Sequence, residues 1–250
     1  SNNYSRNGQG LLWGGSLPRI EAYGYSAVHF AKHVLAERGD SLVGKRCLVT
    51  GSGKTALAVA DRLIALGAVP LTLSDSSGFV YEPDGISQPK FQKLHQIKQE
   101  RGARIGRYII ASTTAKYNDP PSIFDIPCDV VFAAAESSEI DVAQAAVLAD
   151  SGCQLVVDAC HAPVTPSASR ALKKFGVLHA PYKATLAAGA YVGAYEVPDL
   201  VNTVDDLTAK VYADVSKTAV EYNQRGDLNH GTNIASFLHV ANVMDAHGAI

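Results

Sequence analysis

The chain has 250 residues, 47% hydrophobic and 18% charged, with a formal net charge of -2. This supports one large α/β domain or two small ones, excludes disorder, and lacks the basic stripe that nucleic-acid binding requires. No apolar run approaches the roughly 18 residues needed to cross a bilayer, and no signal-peptide pattern is present, so membrane insertion is not expected.

Apolar residues recur at helical spacing from about Pro18 to Glu37, after a Gly-, Asn- and Ser-rich linker over residues 1–15. Lys45 to Thr50 is a short apolar strand running straight into Gly51-Ser52-Gly53. Thr55 to Leu66 is predicted as a helix ended by Gly67, and Val69 to Leu73 as a second strand closing on Ser74-Asp75-Ser76. A strand–turn–helix–strand unit of about thirty residues has the size of a βαβ unit. After a less regular middle, with an exposed helix over Lys90 to Arg101 and a proline-rich loop over Asn118 to Pro127, the alternation resumes. Strands are predicted over Asp129–Ala133, Gln154–Asp158 and Val177–Leu178, with helices over Asp141–Ala149 and Ser167–Lys174. Strands so continuously apolar are covered on both faces, which predicts a Rossmann-like, doubly wound, mostly parallel sheet. The final stretch reads as helices over Ala184–Val197, Val204–Arg225 and Thr232–Ala246. Residues 16–250 are thus expected to form a single dinucleotide-binding domain whose C-terminal helices occupy about 184–248.

Gly51-Ser52-Gly53-x-x-Ala56 fits G-x-G-x-x-G/A between a strand and a helix, with an acid closing the next strand. Gly51 permits the tight turn, and Gly53 lets the backbone approach a pyrophosphate. Ala56 allows close helix–strand packing, and the helix N-terminus offers unpaired N–H groups to the anion. Asp75 stands where a ribose-binding acid is expected. Ser74, Ser76 and Ser77 can instead hydrogen-bond a 2′-phosphate, which favours NADP over NAD. The bland alternative is a turn into a helix with no ligand. Gly53-Lys54-Thr55 also ends like a P-loop, but that motif needs Gly at position 48, where Leu48 lies inside the strand. Lys54 is better read as an extra cation near the turn or a solvated side chain.

Cys47, Cys128, Cys153 and Cys160 form no C-x-x-C pair and read as buried thiols in a reducing, intracellular compartment. A nucleophilic Cys160 beside His161 is the weaker alternative. The histidines have no metal-ligand spacing, so no metal is expected. His161 reads as a partly buried, hydrogen-bonded side chain or a partner contact, with a new catalytic base as the alternative. Glu136, Glu139 and Asp141 read as caps for the following helix rather than as acid–base groups.

Several motifs together resemble the coenzyme domain of glutamate dehydrogenases. They are Trp13-Gly14-Gly15-Ser16, Arg19-x-Glu21-Ala22-x-Gly24-Tyr25, Leu73 to Gly78, and Asp84-Gly85-Ile86. Pro163-x-Thr165-Pro166, Ala180-Pro181-x-Lys183-Ala184, Glu196, and Asn233-Ile234-Ala235-x-Phe237-x-x-Val240-Ala241-x-x-Met244 extend the match. Order and spacing hold from about Gly10 to Ile250, and the small hexameric, NADP-using class is the nearest likeness. The resemblance implies the second half of such an enzyme, without the domain that activates 2-oxoglutarate and ammonia and makes most hexamer contacts. A family-type homohexamer is therefore not assumed. Because the chain begins with Ser1, a lost upstream domain or a processed subunit is expected.

Departures from the family pattern fall at the chemistry. Tyr23 replaces a Thr near the nicotinamide, and Lys54-Thr55 replaces Asn-Val in the glycine turn. Ser138 replaces a ribose-contacting Asn, and His161 a nicotinamide-side Asn. Leu186 replaces another Asn, Ala188 a Gly, and Gly193 a Ser that holds the substrate's distal carboxylate. Each lost buried partner costs about 1–3 kcal/mol, and hydride transfer tolerates little misplacement. This sequence reading favours a non-catalytic structural or interaction subunit of a larger protein assembly, retaining NADP(H) or no cofactor. The alternative is the coenzyme half of an active NADP-dependent enzyme whose substrate domain lies on a missing segment or another chain. Mitochondrial matrix and cytosol both fit the family.

Overall fold

Short, continuously apolar strands buried on both faces fix the architecture. The computed structural model describes residues 19–100, 102–118, 120–194 and 197–248. The linker expected over 1–15, the Trp13–Ser16 motif and Glu196 lie outside the described residues. The chain runs α1 (Arg19–Ala36), β1 (Arg46–Val49), α2 (Lys54–Ala65), β2 (Val69–Pro70), β3 (Thr72–Asp75), β4 (Gly78–Tyr81), α3 (Gln88–Gln99) and β5 (Lys116–Asn118). It continues with β6 (Val130–Ala133), α4 (Val142–Asp150), β7 (Leu155–Asp158), α5 (Pro166–Phe175), β8 (Leu178–Ala180), α6 (Tyr182–Thr185), α7 (Ala187–Ala194), α8 (Leu200–Glu221) and α9 (Leu228–Ala246).

Five strands form a parallel sheet in the order β2-β1-β6-β7-β8. On one face Cys47, Val49, Val130, Phe132, Leu155 and Val157 join Phe30 and Val34 of α1, Val59 and Leu63 of α2, and Val215 of α8. On the other, Leu48, Val131, Ala133 and Val156 meet Ala145 and Leu148 of α4 and Leu172 of α5. This is the doubly wound arrangement read from the strands. Its chain order reverses between β2 and β6 around β1, which opens a crevice at the C-terminal ends of β1 and β6.

The expected strand Val69–Leu73 is two strands. At Leu71 the N–H still donates to the Cys47 carbonyl (2.8 Å), but its carbonyl accepts from Glu82 N–H (2.9 Å). The chain then leaves the parallel sheet and pairs antiparallel with β4, which pairs with β5. The lost ladder position is filled by one side chain. Thr72 Oγ1 accepts from Val49 N–H (3.0 Å) and donates to the Val49 carbonyl (3.1 Å). Periodicity could not reveal this, because the apolar pattern continues unbroken across the switch.

The helix expected over Ala184–Val197 breaks at Leu186, and α8 starts at Leu200 because Asp199 caps it. Helix α1 is laid tightly on α2: a Cβ on Gly24 would stand 2.6 Å from Ala58 Cβ and 2.8 Å from the Thr55 carbonyl. A buried polar cluster completes the seating. His29 Nδ1 lies 2.7 Å from Asp205 Oδ1 on α8, and Arg62 Nε on α2 donates to His29 Nε2 (2.8 Å). An accepting Nε2 requires a neutral imidazole, and burial lowers its pKa in the same direction. No described helix is long and apolar enough to cross a membrane.

Replacing Thr72 by Val is expected to destabilise the fold by about 1–3 kcal/mol, because it strands the buried Val49 N–H and carbonyl. Thr72→Ser should recover most of that loss. Urea unfolding checks this, and a Thr72→Val protein as stable as the wild type would contradict it.

Candidate functional site at the β1–β6 crevice

The β1 strand ends where Thr50 and Gly51 must pass close to the loop after β6. Gly51 has φ +81°, and a Cβ there would lie 2.8 Å from the Ala134 carbonyl, so both conformation and space demand glycine. Two hydroxyls clamp this turn. Thr50 Oγ1 accepts from Ala134 N–H (2.9 Å) and donates to Glu139 Oε1 (2.8 Å). From the other side, Ser74 Oγ accepts from Gly51 N–H (2.7 Å) while Ser74 N–H donates to the Gly51 carbonyl (2.9 Å).

Ser52 is buried, and Gly53 is the N-cap of α2 with no side chain to close it. A Cβ on Gly53 would meet nothing within 4 Å. The first helical bond runs from Leu57 N–H to the Gly53 carbonyl (3.0 Å), so the amides of Lys54, Thr55 and Ala56 precede it. The first turn holds no acid. Lys54 is exposed and Thr55 half-buried. The result is an uncapped helix N-terminus with an open approach and an adjacent cation, which is chemistry suited to a phosphate.

Asp75 ends β3 beside this turn. Its Oδ1 accepts from Ser77 N–H (2.9 Å) and its Oδ2 from Ile105 N–H (2.8 Å), so both oxygens already hold the local backbone. Partial burial raises its pKa, but the Ser77 hydroxyl and those two amides outweigh this and lower it. Ser76 is exposed and its Oγ accepts from Arg104 Nη1 (2.6 Å). Arg104 lies on no motif, and its distance in sequence hid it. It adds a guanidinium to the serine cluster at the end of β3.

The loops after β6 and β7 interlock at the crevice mouth. Ser137 Oγ donates to the His161 carbonyl (2.6 Å), and Ser138 N–H donates to the Ala162 carbonyl (2.9 Å). Ser138 (φ 61°) and Ala162 (φ 48°) both take left-handed backbone. The His161 side chain is exposed, contrary to the half-buried, hydrogen-bonded reading. Its ring meets Tyr182 edge-on with centroids 4.6 Å apart, and it has no side-chain hydrogen bond among the described residues. Leu186 packs against the main core, and Tyr23 lies under Gly189, where a Cβ would stand 2.8 Å from Tyr23 Cα. Asp158 organises the floor, a role the sequence did not signal. It accepts from His179 Nε2 (2.9 Å) and Tyr182 N–H (3.0 Å), and its carbonyl accepts from Thr185 Oγ1 (2.6 Å).

Two readings of single residues need correction. Asp141 caps α4 through a capping box with Gln144, but neither Glu136 nor Glu139 caps it, and Glu139 turns inward to Thr50. Burial pushes Glu139 up to about 7, against the hydrogen bonds from Thr50 and Ala135 and with help from Glu136 and Asp158. Cys160 is half-buried, with its thiol toward the Glu136 carbonyl. Burial and the carboxylates of Glu139, Asp158 and Glu136 push its thiol up to about 12, the wrong direction for a nucleophile.

The arrangement defines a doubly wound, Rossmann-like α/β domain whose strand order reverses at β1. The comparisons with known proteins agree. The model of the Glutamate/Leucine/Phenylalanine/Valine dehydrogenase family matches residues 14–248, and the chain belongs to that family. It is 38% identical to the NADP-specific glutamate dehydrogenase of Chlorella sorokiniana, across 97% of this chain and 49% of that protein. It is 36% identical to the NADP-specific glutamate dehydrogenase of Helicobacter pylori strain J99, across 96% of this chain and 57% of that protein. The solved structure of Plasmodium falciparum glutamate dehydrogenase 2 superposes with a TM-score of 0.91 at 32% identity, across 96% of this chain and 55% of that one. The chain spans about half the length of the curated relatives it matches.

Because Glu139 binds its proton more tightly folded than unfolded, its contribution to stability falls as pH rises from the ordinary Glu range through about 7. Stability of the wild type should therefore decline more steeply than that of Glu139→Gln between about pH 5 and pH 8. Parallel curves from chemical denaturation across that range would show that Glu139 is not proton-linked.

Proposed function

We propose that this chain is the NADP(H)-binding half of a glutamate dehydrogenase, presenting the cofactor to a substrate domain carried on another segment or chain. The carrying observation is the uncapped N-terminus of α2 behind Gly51-Ser52-Gly53, with Ser76 and Arg104 beside it. Backbone amides of residues 52–56 would hold the pyrophosphate. Ser76, Ser77 and the Arg104 guanidinium would hold the 2′-phosphate, and the occupied oxygens of Asp75 leave less for a free 2′-hydroxyl. Ser138 and His161 face the crevice mouth where the nicotinamide half would lie. The bound cofactor supplies the hydride acceptor. The protein positions it and holds Glu139 half-buried behind the turn. The NADP-specific relatives support the cofactor choice.

A second reading is a non-catalytic subunit of a larger assembly. It is favoured by the departures from the family pattern at Tyr23, His161, Leu186 and Gly193, with Leu186 packing half-buried against the core. Mixing the chain with a substrate half of a relative separates the two readings. Glutamate-dependent NADP reduction supports the first reading, and cofactor binding without reduction supports the second.

Cofactor preference gives the sharper test. Arg104→Ala should weaken NADPH by about tenfold or more, the effect of removing a charge-assisted contact, and leave NADH unchanged. Fluorescence titration measures both. Equal losses for the two cofactors, or no binding of either by the wild type, would overturn the assignment.

A further inference from the structure

A second cationic site lies at the opposite end of the sheet. A cavity of about 720 Å³ opens along the edge strand β8, beside the last turn of α5 and the α8–α9 loop. The strands are parallel, so the start of β8 and the glycine turn after β1 lie at opposite ends of the sheet. Arg38, Arg170, Lys173, Lys174 and Arg225 line this cavity with Asp227 as its one carboxylate.

Lys173 pairs with the one carboxylate, and the other four cations have no acid to satisfy among the described residues. Asp227 is saturated by Lys173 Nζ (2.6 Å), His230 Nδ1 (2.8 Å) and His230 N–H (3.0 Å). Burial raises its pKa, but these partners outweigh that and hold it low. The acids nearby are engaged elsewhere. Glu37 takes the hydroxyls of Tyr212 and Ser216, and Asp40 pairs with Lys45 at 2.7 Å. Arg38, Arg170, Lys174 and Arg225 make no ion pair or side-chain hydrogen bond among the described residues.

One structural role competes. The C-terminal ends of α1, α5 and α8 fall close to Arg38, Lys174 and Arg225 in the chain, and each helix end carries roughly half a negative charge. Three such ends against five cations and one carboxylate leave a surplus of about two to three positive charges. The N-terminus of α9, capped by Asp227, adds to that surplus rather than reducing it. Further polar groups sit in the wall: His179 Nδ1 lies 3.0 Å from both Ser169 Oγ and Asn229 Nδ2. A cavity of this volume falls in the usual range for small-molecule sites.

We propose that the β8 cavity binds a small molecule carrying a chain of two or more phosphates, held by Arg38, Arg170, Lys174 and Arg225. Planar guanidinium groups suit bidentate phosphate recognition, and their surplus charge matches a polyanion better than a single carboxylate. The ligand's source is either a nucleotide or a bare phosphate chain, so both probes are used.

Isothermal titration of the full chain with inorganic tripolyphosphate and with ATP, under saturating NADPH at physiological ionic strength, tests the proposal. Binding is expected to persist with NADPH present, and tighter binding of ATP would assign a nucleotide. Arg170→Ala/Arg225→Ala should weaken the probe about tenfold to a hundredfold. Both arginines are exposed, so thermal unfolding should be unchanged. If the double variant fails to fold, Arg170→Gln and Arg225→Gln singly should each give a partial loss. Failure of both probes to bind, displacement by NADPH, or equal binding by the variants would overturn the proposal.

Discussion

The β1 strand can end as it does because no side chain stands between Gly51 and the backbone of Ala134. That contact brings the C-terminal ends of two neighbouring strands together at the place where the chain order of the sheet reverses. Thr50 and Ser74 then pin the turn from opposite sides, one through β6 and one through β3. A turn fixed in this way needs no cap from α2, and the amides of the first helical turn remain outward. Without Gly51, the hydroxyl clamps from Thr50 and Ser74 lose their geometry.

The same end of the sheet depends on the break at Leu71. Had Val69 to Asp75 continued as one parallel strand, Ser76 would follow the sheet edge. Instead, the chain peels away, Thr72 repairs the ladder with its hydroxyl, and the β3–β4 turn comes to rest beside Arg104. The Glu82 carboxylate anchors the segment behind it, accepting from Tyr108, Ser112, Thr114 and Lys90. An antiparallel hairpin thus carries the serines that, with Arg104, would distinguish a 2′-phosphate from a 2′-hydroxyl.

The parallel sheet was legible in the sequence because its strands are short apolar runs separated by helices with clear ends. Cys47–Val49 and Val130–Ala133 needed no tertiary information. The turn at Gly51 was legible for the same reason: its constraints are local. Arg104, Thr50 and Glu139 were not, because each acts through a partner roughly thirty to ninety residues away, as with Arg104 to Ser76 and Thr50 to Glu139. Nothing in local spacing marks such pairs. Asp141 and Glu139 show the limit well. Both are acids near a helix start, and only the observed backbone decides that one caps α4 while the other sits half-buried against Thr50.

The chain belongs to the Glutamate/Leucine/Phenylalanine/Valine dehydrogenase family, and its glycine turn opens on an uncapped helix N-terminus. In the proposed function, the amides of the glycine turn receive the cofactor's pyrophosphate. Titrating NADPH into isotopically labelled protein and following backbone amide resonances tests it directly. The largest shifts are predicted at Ser52 to Ala56, with a second group at Ser74 to Ser77. Shifts confined to other regions, or none at saturating NADPH, would contradict it.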